Sequence, residues 1–295
     1  MLEYRDFTPE AMAELKPLIA LQRFRSNDYT VNGLYMWRDY FGAKFAVTHG
    51  MLVTVYDFEE GSPYYTCPVG AGSEDAALEE IRRDANERGF RLRFCCVPKE
   101  KTEKLASFFG APKLIEARRE WADYLYPYEN FLGYHGKKLT TQRNHCNRFM
   151  RDNPDWEFIE LTKANAGEAA AFLNEHAEVF KKHDPMVEED FTKCFDVLEN
   201  FERFGFTGGL LKTGGRVVGL TVGEALDDTL YVHIEKALAS VSGVYPMLAR
   251  LYAEANAEPR LRFINREDDS GDEGLRHSKT EYRPIELIDK FVMEF

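Results

Sequence analysis

The chain has 295 residues, more than one hydrophobic core usually organises, so two domains are expected. Its formal net charge of −12 opposes a broad nucleic-acid footprint, because phosphate binding needs concentrated positive field. No apolar run approaches the roughly 18–20 residues that cross a bilayer, and the charged start MLEYRDFTPE lacks the core of a secretion signal, so a cytoplasmic location is expected.

Residues 8–22 read as a short helix, and NGLYMWRDYF (32–41) as an aromatic-rich helix or turn. KFAVTHGMLVTVYD reads as two strands joined by His49-Gly50, and PYYTCPV as a third. Ser73 caps a helix that ends before Gly89, with acids in its first turn. FRLRFCCV is a strand, KEKTEKLASFFG a helix ending at Gly110, and WADYLYPY another strand. The second half opens on a basic helix, 136–151, closed by Asn153-Pro154. Strand WEFIEL follows, then helices near 165–183 and 187–200 and the strands FTGGLLKT, RVVGLTVGE and TLYVHIEKA. Helix 244–257, strand RLRFINRE, helix 271–281 and strand PIELIDKFVMEF finish the chain. Cys67, Cys95, Cys96, Cys146 and Cys194 are odd in number and form no Cys-x-x-Cys pair. They read as small buried apolar residues, and no metal site is expected.

DANERGFRLRFCCV in the first half and AEANAEPRLRFINR in the second share RLRF, at Arg91–Phe94 and Arg260–Phe263. The surrounding order is also shared: helix, breaker, strand, helix, strand. The chain therefore reads as a duplicated α+β unit with mixed, mainly antiparallel sheets flanked by helices, divided into residues 1–130 and 131–295.

Strand 230–236 alternates, with Tyr231, His233 and Glu235 on one face and Leu230, Val232 and Ile234 on the other. Glu224, Asn265 and Glu267 end the neighbouring strands, so polar groups collect at one region of the sheet. A carboxylate there is a candidate general base if burial raises its pKa, and a solvated sheet face is the other reading. The turn Ser240–Val244, with Ser242 and Gly243, leads into a helix whose N-terminal N–H groups suit a phosphate. Near the end, Ser270-Gly271-Asp272-Glu273 fits a capping box that absorbs much of the local acid, with charge pairs four apart behind it. Arg276, Lys279 and Arg283 then fall on one helical stripe that could hold a phosphate or carboxylate, or simply face solvent. Helix 136–151 buries Leu139, Cys146, Phe149 and Met150. It turns Lys137, Asn144, Arg148 and Arg151 outward, as an RNA or anion contact or as a solvated cationic face.

NDYTVNGLYMWRDYF, GKKLTTQRNHCNRFMRDNPDWEF, VVGLTVGE…LYVHIEKALASVSGVYPML and INREDDSGDEGLRHSKTEYRP together resemble the soluble bacterial relatives of the phosphatidylglycerol lysyltransferase C-terminal catalytic domain. The resemblance implies two GNAT-like (Gcn5-related N-acetyltransferase) units in tandem, similar to the Fem peptidyltransferases, and acyl or aminoacyl transfer to an amine or hydroxyl. It implies Glu235 as base, with His233 or Glu224 as alternatives, Tyr282 as proton donor to the leaving group, and Ser240, Ser242, Gly243 and Val244 at the donor's phosphates. Asn265, Glu267, Arg276 and Lys279 would meet the substrate, and Lys137, Arg148 and Arg151 the tRNA. No tightly bound cofactor is expected. The co-substrate is acyl-CoA or aminoacyl-tRNA, and the single glycine of the turn, where acetyltransferases usually show two, favours the latter. The acceptor is a small molecule or peptide. The rival expectation is a non-catalytic ligand- or protein-binding member of the fold with a degenerate donor site.

Overall fold

The computed structural model describes residues 1–57, 63–179 and 185–295. By internal contacts the chain divides into two compact units. The first is Met1–Asp123 with Asp268–Gly271 and Ile288–Phe295; the second is Tyr124–Glu267 with Asp272–Leu287. The division thus falls at Asp123 rather than at residue 130, and two C-terminal segments return to the first unit.

The first 117 residues form β1 (Arg5–Asp6), α1 (Pro9–Ile19), α2 (Val31–Met36), β2 (Lys44–Thr48), β3 (Met51–Tyr56), β4 (Tyr64–Tyr65), β5 (Val69–Gly70), α3 (Glu74–Arg88), β6 (Arg93–Pro98), α4 (Lys99–Phe109) and β7 (Leu114–Ala117). His49 and Gly50 both take positive φ, 49° and 74°, as a two-residue hairpin turn requires. Ser73 accepts from the Ala76 amide and Gly89 closes α3 in the left-handed region, so both expected caps hold. PYYTCPV is not one strand: it supplies only the two-residue β4 and the start of β5.

The rest of the chain forms β8 (Asp123–Pro127), α5 (Thr140–Asp152), β9 (Glu157–Glu160), α6 (Ala166–Val179), α7 (Pro185–Phe204), β10 (Thr207–Thr213), β11 (Arg216–Leu226), β12 (Thr229–Ala237), α8 (Val244–Ala255), β13 (Phe263–Asn265), α9 (Glu273–Glu281), β14 (Glu286–Ile288) and β15 (Lys290–Glu294). Of the helix expected near 165–183, residues 180–183 lie outside the described residues. The basic helix begins as a 3₁₀ turn at Lys137–Leu139 and becomes α-helical at Thr140. The expected last strand breaks at Asp289: β14 joins one sheet and β15 the other.

The first sheet runs β1-β2-β3-β4-β6-β15-β7, with β5 also on β3; the second runs β9-β10-β11-β12-β13-β8-β14. In each, the fourth and fifth strands are the parallel pair, β4 with β6 and β12 with β13. The RLRF echo marks this shared position, since Phe94 and Phe263 both lie in the parallel register. The order in which neighbours meet is therefore duplicated along with the motif. Among the described residues no helix is long and apolar enough to cross a membrane.

Candidate active site

The second sheet opens beside β12. That strand has nine residues, but only Thr229, Leu230 and Tyr231 pair with β13. From Val232 onward β12 is paired on its β11 side through Ala237 and runs past the end of β13. The register with β11 slips between Val222 and Gly223, where Ile234 and Val232 are successive partners and His233 is the extra, bulged residue. A bulge re-aims a side chain and interrupts the two-residue alternation, so the expected grouping of Tyr231, His233 and Glu235 holds only up to the bulge.

The bulged His233 lies between two carboxylates. Its Nε2 is 3.1 Å from Glu224 Oε1 and its Nδ1 2.8 Å from Glu267 Oε1. The rings of Tyr231 and Phe206 flank it at 6.2 and 5.8 Å. Burial disfavours charge on the imidazole, yet hydrogen bonds to Glu224 and Glu267 and their negative field outweigh it and raise the pKa to about 9. At neutral pH both ring nitrogens donate. His233 therefore has no lone pair to offer as a base, which removes it from that expected role.

Glu267 follows the end of β13 with φ +58°, a left-handed conformation that costs a non-glycine residue energy and recurs at functional sites. The buried Asn265 holds it there, its Oδ1 accepting from the Glu267 amide at 2.6 Å. Asn265 thus positions a neighbour rather than facing a substrate. The Glu267 side chain is 23% exposed against 8% for Glu224, so Glu267 is the accessible end of the carboxylate–imidazole–carboxylate chain.

Between Asn265 and Glu267, Arg266 reaches back to β12, its Nη2 2.5 Å from Glu235 Oε1. Burial opposes its charge, but Glu235 outweighs that and raises the guanidinium above its ordinary value. Its cation lies 4.5 Å from the centre of the Tyr282 ring, which stacks on Phe131 at 5.6 Å. Burial pushes the Tyr282 phenol up against the lowering field of Arg266, so it keeps its proton through the neutral range.

Helix α9 differs from the expected cap. Asp272, not Ser270, is the N-cap and accepts from the Leu275 amide, while the Ser270 hydroxyl donates to Asp268. Lys279 is buried, its Nζ donating to the Arg266 carbonyl at 2.6 Å, and Arg283 lies past the helix end with φ +58°. The expected stripe of three cations does not form; Arg276 stays half-buried on the helix.

The Ser240–Val244 turn holds fewer free amides than its sequence implies. The Val244 amide donates to Val241 O, and Pro246, third in the helix, has no N–H. Gly243 has φ +76°, and a Cβ there would stand 2.2 Å from His145 O of α5, so helix packing by itself demands glycine. Ser240 is exposed and Ser242 half-buried. On the basic helix, Lys137, Arg148 and Arg151 are exposed as expected, and both arginines pair with Asp152. Arg143 instead donates to the carbonyls of Tyr134 and Gly136. Among the described residues no group of three or more His, Cys, Asp and Glu could hold a metal ion.

Sequence reasoning passed over Arg266 and Thr221. Strict alternation sets Arg266 opposite Asn265 and Glu267, but β13 stops at Asn265 and the turned backbone of Glu267 breaks the pattern. Thr221 is the register partner of Glu235 on β11, a pairing that a single sequence does not reveal.

A solved protein of unknown function from Bacteroides thetaiotaomicron is 28% identical, with all of both chains covered and a TM-score of 0.93. L-PGS from Bacillus licheniformis is 14% identical over 98% of this chain and 92% of its own, with a TM-score of 0.70. FemX is 7% identical over 100% and 98%, with a TM-score of 0.65. The last two likenesses are of fold, and they agree with the expected tandem α+β architecture. No curated protein matches the chain. The model of the family described as phosphatidylglycerol lysyltransferase, C-terminal, matches residues 20–294, and the chain belongs to that family.

Proposed function

We propose that the protein is a cytoplasmic transferase that moves an acyl or aminoacyl group onto an amine or hydroxyl at the open side of β12. The observation that carries this reading is the chain Glu224–His233–Glu267, with an accessible carboxylate at one end and a protonated imidazole fixed behind it. Glu267 takes the acceptor's proton in this scheme, a role the sequence suggested for Glu235, because one Glu235 oxygen is committed to Arg266. The acceptor's nitrogen or oxygen attacks the donor carbonyl, its proton passes to Glu267, and the donor's alcohol or thiol leaves with a proton. Tyr282, its ring 4.5 Å from the Arg266 cation, is the phenol assigned to supply that proton.

The depleted amides of the 240–244 turn favour an aminoacyl-tRNA donor over acyl-CoA, because a pyrophosphate binds through such free N–H groups. Lys137, Arg148 and Arg151 would meet the tRNA. Thermal unfolding with excess coenzyme A, acetyl-coenzyme A and uncharged tRNA tests the donor. A ligand at ~100 times its dissociation constant adds about 2.7 kcal/mol. A rise with tRNA alone is expected; a rise with coenzyme A alone would reverse the donor assignment.

A further inference from the structure

Cys95 and Cys96 are adjacent on β6, where strict alternation would send their thiols to opposite faces of the first sheet. The register prevents this. On β15, Met293 pairs with Phe94 and Phe291 with Val97, so both cysteines stand opposite the single Val292. That is a β-bulge, which breaks the alternation at its extra residue. Cys96 takes φ +53°, a left-handed conformation that costs a non-glycine residue energy. The two thiols therefore hydrogen-bond each other. Cys95 is buried and Cys96 half-buried, so the pair is reached from the Cys96 side.

The surroundings hold this arrangement. The Tyr29 hydroxyl donates to the Cys96 carbonyl at 3.0 Å, and the Cys96 thiol donates to Asp28 Oδ1 at 3.2 Å. Asp28 also accepts from the Ser26 hydroxyl at 2.7 Å and pairs with Lys290 at 2.8 Å. The bond with Cys95, then burial and the field of Asp28, push the Cys96 thiol well above its ordinary value. It keeps its proton at neutral pH and is a poor nucleophile by itself. Nor is a direct disulfide favoured. Consecutive Cα atoms are about 3.8 Å apart, below the roughly 4.4–6.8 Å of ordinary disulfides, so an S–S bond between neighbours is strained. One atom bridging the sulfurs enlarges the ring and relieves that strain. Two sulfurs suffice for trivalent arsenic, which keeps a third substituent of its own, whereas among the described residues no group of three or more ligands could hold a metal ion.

We propose that Cys95 and Cys96 form a dithiol site for a trivalent arsenical, the arsenic bridging the two sulfurs. With an arsenoxide, R–As=O, two As–S bonds form and the As=O bond breaks. Both thiol protons leave on its oxygen as water, and no atom is oxidised or reduced. The site lies in the first unit and is independent of the transferase reading.

Phenylarsine oxide is the probe, with intact-mass spectrometry of the folded full chain as the readout. One phenylarsenic group per chain should load. A small dithiol such as 2,3-dimercaptopropanol should remove it, and an equal concentration of a monothiol should not. Cys95→Ala and Cys96→Ala should each weaken loading by at least ~10²-fold, the ordinary gain from linking two attachment points. Cys67→Ala, Cys146→Ala and Cys194→Ala should leave it unchanged, with the melting temperature as a check on folding. In the native chain, prior loading should protect Cys95 and Cys96 together from later alkylation in denaturant, read by peptide mapping, which needs no variant. Loading that survives loss of either cysteine, release by the monothiol alone, or no loading of the folded chain would overturn the site.

Discussion

The two sheets share one strand order, and their difference lies at the shared parallel pair. In the first sheet β4 has two residues and meets β6 at the single pair Tyr65–Phe94. Aromatic rings close that position, with Phe94 5.4 Å from Phe109 and 6.1 Å from Phe295. In the second sheet β12 overruns its partner, and a bulge, a strained glutamate and two buried ion-pair systems occupy the overhang. Topology alone thus specifies no site: the proposed chemistry lies where a strand is longer than the neighbour beside it. The buried charges differ in the same way. In the first unit Lys290 Nζ lies 2.7 Å from Asp123, 2.8 Å from Asp28 and 3.6 Å from Asp268. Every charge there faces another across a closed cluster, and Asp123 also accepts from the Asn27 amide. In the second unit Glu235 and Arg266 each keep one buried atom without a hydrogen bond.

If the Lys290 cluster is structural, breaking it should give the largest loss. Lys290→Met leaves buried carboxylates without their cation and should cost about 3–5 kcal/mol, read by urea unfolding. Burial lowers the proton affinity of the ammonium, but Asp123, Asp28 and Asp268 outweigh that and hold the group well above its ordinary value. A variant with unchanged unfolding midpoint would mean the cluster contributes nothing, and the contrast between closed and open charge would fail. Next in size, Glu267→Gln should lower kcat by at least ~10²-fold, with a smaller loss of stability because it removes one of the two carboxylates that hold the His233 imidazolium, whereas Glu235→Gln should act mainly on KM. The reverse pattern would return the proton-accepting role to Glu235.

His233 allows a pH test of the second unit. Its folded pKa is raised to about 9 from an ordinary 6.5. The stability it contributes is therefore complete below about 6.5 and is lost as pH rises through about 9. Unfolding free energy should fall across that window in the native chain, and His233→Asn should flatten the fall. Parallel curves for the two proteins would show that the imidazolium is not its source.

Much of the frame is legible in the sequence because local signals set it: the Ser73 and Gly89 caps, the His49-Gly50 turn, and the RLRF repeat at the parallel pair. Glu224, His233 and Glu267 were also legible as polar ends of adjacent strands. What stayed hidden depends on long-range register. Nothing local shows that β12 overruns β13, that a bulge falls at His233, or that Asp289 divides the last strand between two sheets. Lys279 misled for a related reason. Helical spacing put it on an outward stripe, but its stem turns inward and its ammonium caps the Arg266 carbonyl.

The smallest expected effect belongs to the basic helix, and it sharpens the contrast from the other side. Arg148 and Arg151 are exposed, and both approach Asp152, at 3.4 and 3.0 Å. Exposed pairs of this kind contribute little, so the double change to alanine should move unfolding free energy by less than ~1 kcal/mol. Its effect should appear in tRNA binding, as a weaker affinity with a shallower dependence on salt. The apolar side of the same helix, Cys146 and Phe149, is fully buried, so its cations are on a rigid support. A stability loss above ~2 kcal/mol would make the arginines structural, like the Lys290 cluster. An unchanged salt slope at unchanged stability would detach the basic face from the tRNA and leave the open side of β12 as the region where a donor must be held.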